Sequence, residues 1–128
     1  MFNKFPGEKL VIGLLHIKSM PGNPYYEDGF LEQSIELAVK GAIALKRGGA
    51  HGCLIQGTER VYSVNDDADP ARVAAMTIVT SKVREAVGDD FLVGAQLMWN
   101  CITPSLAVAK VAGADFTRCT ALVGEVDS

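Results

Sequence analysis

His16, Gln56 and Gln96 are evenly spaced, since 56 − 16 and 96 − 56 both equal 40. Each lies at or near the end of an apolar run: LVIGLLHI, HGCLIQ and FLVGAQLM. An imidazole in such a place moves protons near neutral pH or binds an anion. The carboxamides of Gln56, Gln96 and Asn100 hold a sugar, a base or a ring of water by directional hydrogen bonds. Arg118, near the end of a fourth run, DFTRC, suits a carboxylate or a phosphate. Each residue also has a plain structural alternative. His16 closes a barrel mouth, the amides form a polar layer, and Arg118 pairs with Asp115 or Glu59.

The elements that must position these groups alternate regularly. A first strand over Lys9–Ile17 leads through a long loop to a helix over Phe30–Arg47. Leu31, Ile35, Ala38, Ala42 and Leu45 make one apolar stripe on it. Asp28 is a plausible cap at its start and Gly48-Gly49 ends it. A second strand over His51–Gln56 precedes a polar segment. Asp69-Pro70 then announces a second helix, with Met76, Val79, Val83 and Val87 as its buried stripe. A third strand covers Phe91–Met98, Thr103-Pro104 opens a short third helix, and a fourth strand covers Asp115–Cys119. Gly49-Ala50-His51 and Gly113-Ala114-Asp115 lead into strands two and four as a weak internal repeat.

Strand alternating with helix implies a parallel sheet with right-handed crossovers. No GxGxxG follows the first strand, so a dinucleotide fold loses its main support. A closed eight-stranded barrel needs about 250 residues. The expected fold is therefore α/β: half of a TIM (β/α)8 barrel, with four strands and three helices in one partial domain over 1–128. In such folds, chemistry gathers at the carboxyl ends of the strands. The stop just after the fourth strand suggests an interrupted chain.

Bulk properties narrow the function classes. Of 128 residues, 48% are hydrophobic and 21% charged, which supports a packed core. The net charge is −3 without any basic tract, which argues against nucleic-acid binding. Leu10 to Ile17 is too short to span a bilayer and lacks a signal cleavage site. Cys53, Cys101 and Cys119 have no CxxC spacing and read as reduced thiols of a cytoplasmic protein. Asp66, Asp67 and Asp69 match no EF-hand pattern and read as a solvated loop with a helix cap. No metal site is expected, and no cofactor is indicated. His51 starts its strand, at the opposite end from His16, and reads as structural.

The stretch VIGLLHIKSMPGNPYY resembles the opening of the BtpA/SgcQ family. The resemblance continues in the Gly-Gly-Ala-His-Gly turn, in DPARVAAMTIVTSKVREAV, in VGAQLMWN and in ADFTRCTALVG. It implies the amino-terminal half of a TIM-barrel protein. Departures are specific. Gln56-Gly57-Thr58-Glu59 replaces a frequent Glu-Asn-Phe-Gly, and Trp99 and Cys101 flank a kept Asn100 in place of Arg and Asp. Arg118 is kept, with Thr120 in place of a frequent asparagine.

Together these readings make His16 and Arg118 the catalytic candidates, with Gln56, Gln96, Asn100 and Thr120 binding a small-molecule ligand. A sugar phosphate or a nucleoside-like compound is the expected class. The resemblance implies an alternative, a non-catalytic assembly or stability factor of the photosystem I type. Four strands leave two unpaired edges, so pairing with itself or with a second half-barrel is a further expectation.

Overall fold

The computed structural model describes residues 9–18, 26–57, 70–97 and 102–118. Three strands and three helices alternate in them. They are β1 (Ile12–Ile17), α1 (Phe30–Arg47), β2 (Gly52–Gly57), α2 (Pro70–Val87), β3 (Leu92–Gln96) and α3 (Ile102–Ala112). The strands form one parallel sheet in the order β1-β2-β3.

Alternation divides the sheet into two faces, because residues i and i+2 of a strand share a side. Ile17, Cys53, Ile55, Val93, Ala95 and Leu97 join one core with Ala38 and Ala42 of α1, Met76, Val79 and Val83 of α2, and Val108 of α3. All three helices therefore cover the same face. Strands in sequential order with helices on one side make a singly wound barrel segment, not a doubly wound sheet. This agrees with half of a TIM barrel.

The opposite face is built in rows. Register aligns Ile12 with Gly52 and Leu92, then Leu14 with Leu54 and Gly94, then His16 with Gln56 and Gln96. The first two rows are apolar. The third, at the carboxyl end, is polar. A Cβ on Gly94 would meet the Phe116 ring at 2.5 Å, so the missing side chain makes the space that Phe116 fills.

Helix ends follow local chemistry. Gly48 follows α1, and its N–H donates to Ala44 O; Gly49 beyond it takes φ 96°. At the other end the expected Asp28 cap is corrected. Gly29 is the N-cap at φ 92°, and no side chain caps the helix. The left-handed turn at Gly29 brings its carbonyl to the Gln33 N–H at 3.0 Å, which already starts the ladder. Lys46 in the last turn of α1 donates to Val87 O at the end of α2, at 2.6 Å, and so meets an orphan helix carbonyl.

Several boundaries also differ from the sequence expectation: β1 begins at Ile12 rather than Lys9, β2 runs one residue later than His51–Gln56, and β3 begins at Leu92 rather than Phe91, because only those residues pair with a neighbouring strand. Pro104 lies inside the first turn of α3, where its missing N–H costs no intrahelical bond. The fourth strand is reduced, among the described residues, to one parallel bridge between Gly94 and Phe116. Asp115 N donates to Val93 O and Ala95 N to Phe116 O, so the segment docks at the expected edge.

The amino end of the sheet is tied by side chains. His51 Nδ1 accepts the Val11 N–H at 3.0 Å while the His51 N–H donates to Val11 O at 2.9 Å. This gives His51 the structural role its position suggested. Arg84 of α2 donates to the carbonyls of Gly88, Phe91 and Gly113, and to Asp115 Oδ2 at 2.5 Å. Asp115 is thus the partner of Arg84.

Candidate functional site

The 40-residue spacing of His16, Gln56 and Gln96 becomes a row of direct register partners. Neighbouring strands lie about 4.8 Å apart, so the three side chains stand side by side on the face away from the helices. Exposure falls along the row. His16 is exposed, Gln56 is half-buried and Gln96 is 1% exposed.

Burial makes the amides chemically conspicuous. Gln96 Oε1 and Nε2 and Gln56 Oε1 are all buried, and none finds a hydrogen-bond partner among the described residues. Buried side-chain polar atoms are satisfied in the large majority of cases, so three orphans in adjacent positions demand a physical account. Exchanging the two amide atoms of Gln96 leaves it equally unmatched, so the conclusion does not depend on that assignment.

Arg118 is exposed and lies two residues past Phe116. Gln96 lies two residues past Gly94, the bridge partner of Phe116. Arg118 and Gln96 thus each lie two residues past a member of that bridge. The suggested Arg118–Asp115 pair is replaced by the Arg84–Asp115 pair. Asn100 and Thr120 lie outside the described residues, as do most of the long loop after the first strand, Asp66, Asp67 and Asp69, Cys101 and Cys119.

Two residues that sequence reasoning missed hold the strand ends. Ser34 of α1 accepts the Lys18 N–H at 3.1 Å, just past His16. Ser105 of α3 accepts the Leu97 N–H at 3.0 Å, next to Gln96. Both serines are buried. Each hydroxyl satisfies a backbone donor where the ladder stops and so fixes the direction in which the chain leaves the sheet. A buried serine on an otherwise apolar helix stripe was the available signal, and Ser34 sits one turn before Ala38.

Lys18 also places its Nζ 4.8 Å from the Phe30 ring centroid, and Tyr26 meets Phe30 edge-on at 6.1 Å. These contacts pin the start of α1 beneath the end of β1. Cys53 lies on the helix-facing side of β2, and burial pushes its thiol up to about 12, against a smaller opposing pull from Arg84. The thiol is therefore neutral and does not belong to the polar row. Among the described residues no group of three or more His, Cys, Asp or Glu is arranged to hold a metal, and no helix is long and apolar enough to cross a membrane.

The BtpA family matches residues 7–128. The chain is 31% identical over 124 residues to the photosystem I biogenesis protein BtpA of Synechocystis sp., covering 97% of this chain and 42% of that protein. It is 33% identical over 115 residues to an uncharacterized protein of Archaeoglobus fulgidus, covering 90% and 45%. It is 28% identical over 124 residues to an uncharacterized protein of Methanocaldococcus jannaschii, covering 97% and 44%. No solved structure matches significantly. The chain spans a little under half the length of these relatives. The match along nearly its whole length decides the assignment: the chain belongs to the BtpA family, a family of TIM-barrel proteins.

Proposed function

We propose that the chain supplies half of a barrel that binds and transforms a small polar metabolite at the carboxyl-end rim, in the cytoplasm. The observation that supports this reading is the single register row of His16, Gln56 and Gln96, with its unmatched buried amides. In it, His16 moves a proton, and the amides orient the ligand. Arg118 binds an anionic group, and Asn100 and Thr120 complete the binding set. A second half-barrel, or a second copy, closes the sheet along the edge of β1, which is terminal in the strand order.

The biogenesis protein of Synechocystis favours a second reading, in which the barrel is an assembly factor and catalyses nothing. One experiment separates the two. His16→Ala and Arg118→Ala are introduced together into the full-length protein in a host with a deletion phenotype. The metabolite reading expects a loss as severe as deletion, with an unchanged melting temperature. An unaltered phenotype favours assembly.

A further inference from the structure

We infer that Gln56 and Gln96 receive the uncharged part of the ligand, a hydroxyl-bearing or lactam edge, and that any phosphate or carboxylate it carries lies elsewhere. The inference rests on the metabolite reading and refines it by naming what the buried end of the row recognises.

The argument is a balance of donors and acceptors. Gln96 presents an unmatched carbonyl oxygen and an unmatched NH2, and both are buried. Gln56 adds an unmatched oxygen beside it in register. A carboxylate only accepts hydrogen bonds at neutral pH, and a phosphate accepts through most of its oxygens. Either would satisfy the Gln96 NH2 and leave carbonyl oxygens facing its own negative charge. A cation only donates, and would leave the NH2 orphaned. A group that donates and accepts through adjacent atoms satisfies both. A pair of sugar hydroxyls does so, and so does the N–H and C=O edge of a lactam such as a pyrimidine.

The surroundings point the same way. The rows beneath are apolar: Leu54 is 3% exposed, Leu92 is fully buried, and the Phe116 ring fills the space over Gly94. An ion at Gln96 would face an apolar layer with no charge to offset it, a costly arrangement. His16 is exposed beside Gln56 in register, and Arg118 is exposed two residues past the Phe116 bridge. The amides are therefore buried, while the imidazole and the guanidinium lie in water. A ligand with a neutral ring and an anionic substituent matches that arrangement.

The test uses the side-chain amide signals of Gln56 and Gln96 in the NMR spectrum of the full chain, assigned with single variants. D-ribose, uracil and inorganic phosphate are added separately at millimolar concentration. Ribose or uracil is expected to move the Gln96 signals, and phosphate to leave them in place. A response to ribose alone assigns the hydroxyl source, and one to uracil alone the lactam source. Gln96→Met keeps the length of the side chain and removes both polar atoms. It is expected to weaken the neutral probe at least about tenfold, and to raise the melting temperature without ligand by about 3 °C, because an orphaned buried amide is gone. If this variant does not fold, Gln56→Met at the half-buried neighbour gives the same comparison. Phosphate moving the Gln96 signals while neither neutral probe does would overturn the inference and leave the site standing. No probe moving them overturns it too. A lower-melting Gln96→Met would then make the side chain a structural one and remove the site reading as well.

Discussion

Arg84 Nη2 lies 2.5 Å from Asp115 Oδ2, and that same carboxylate oxygen accepts the Val93 N–H at 2.9 Å. One oxygen thus ties α2 to two strand segments at the amino end of the sheet. The guanidinium completes the tie through the Gly88, Phe91 and Gly113 carbonyls. Both side chains are largely buried, at 14% and 17% exposure. Removing the cation leaves a nearly buried carboxylate and three carbonyls without their donor. Arg84→Ala is expected to cost about 3 kcal/mol in urea unfolding. Arg84→Lys should recover little of it, because an ammonium does not reproduce the planar fork. A cost below about 0.5 kcal/mol would mean that the cluster behaves like an exposed pair.

Ser105 makes a different kind of tie, at the functional end. Its hydroxyl accepts the Leu97 N–H, one residue past Gln96. Ser105→Ala leaves that donor buried and unmatched, at a cost of about 1–2 kcal/mol. The variant should also broaden the Gln96 side-chain amide signals, because the strand end is no longer held. Loss of stability with unchanged Gln96 signals would separate the serine from the polar row.

The isolated chain should not turn over phosphorylated substrates. Barrel phosphate sites usually form after strands seven and eight, and the described residues hold β1 to β3 with the Phe116 bridge. Adding a second half-barrel in trans should restore activity that neither part has alone. Full turnover by this chain on its own would refute the expectation.

Much of the fold was legible because periodicity is a strong signal. Met76, Val79, Val83 and Val87 turned out buried as the spacing required, and of the stripe on α1 Ala38 and Ala42 are buried with Leu31, Ile35 and Leu45 half-buried against the same core. The 40-residue interval translated into register, since parallel βα units of equal length bring equal positions opposite each other. Local chemistry was less legible. Asp28 looks like a cap, but a left-handed Gly29 displaces it by one residue. DFTRC looks like a strand, yet a strand exists only where a neighbour pairs with it, and beyond Phe116 no described residue does. Ser34 and Ser105 gave little warning, because a serine in a helix is ordinarily solvated and only the tertiary fold brings a strand end to it.

Gly94 and Phe116 form a complementary pair on the barrel-inward face. A methyl group on residue 94 would sit 2.5 Å from two carbons of the ring. Gly94→Ala should therefore cost about 2 kcal/mol by overpacking. Phe116→Leu in the same chain should recover part of that cost, giving a coupling above about 0.5 kcal/mol in a double-mutant cycle. Additive effects would show that the ring has room to move aside.

Cys53 supplies a pH test of burial on the other face. Its thiol stands at about 12 in the fold against an ordinary 9.0, chiefly because burial disfavours the thiolate. The folded state holds its proton where the unfolded state releases it. The resulting stabilisation is fully present below pH 9 and is lost as pH rises from there towards 12, by about 1.4 kcal/mol per unit. Other groups titrate in this range, so the informative quantity is a difference. Cys53→Ala lacks the thiol, and its penalty relative to the parent should shrink by about 1.4 kcal/mol between roughly pH 8 and 10. Urea unfolding at the two pH values measures it. A penalty that stays constant would mean that the thiol ionises equally in both states, and so that water reaches it behind β2.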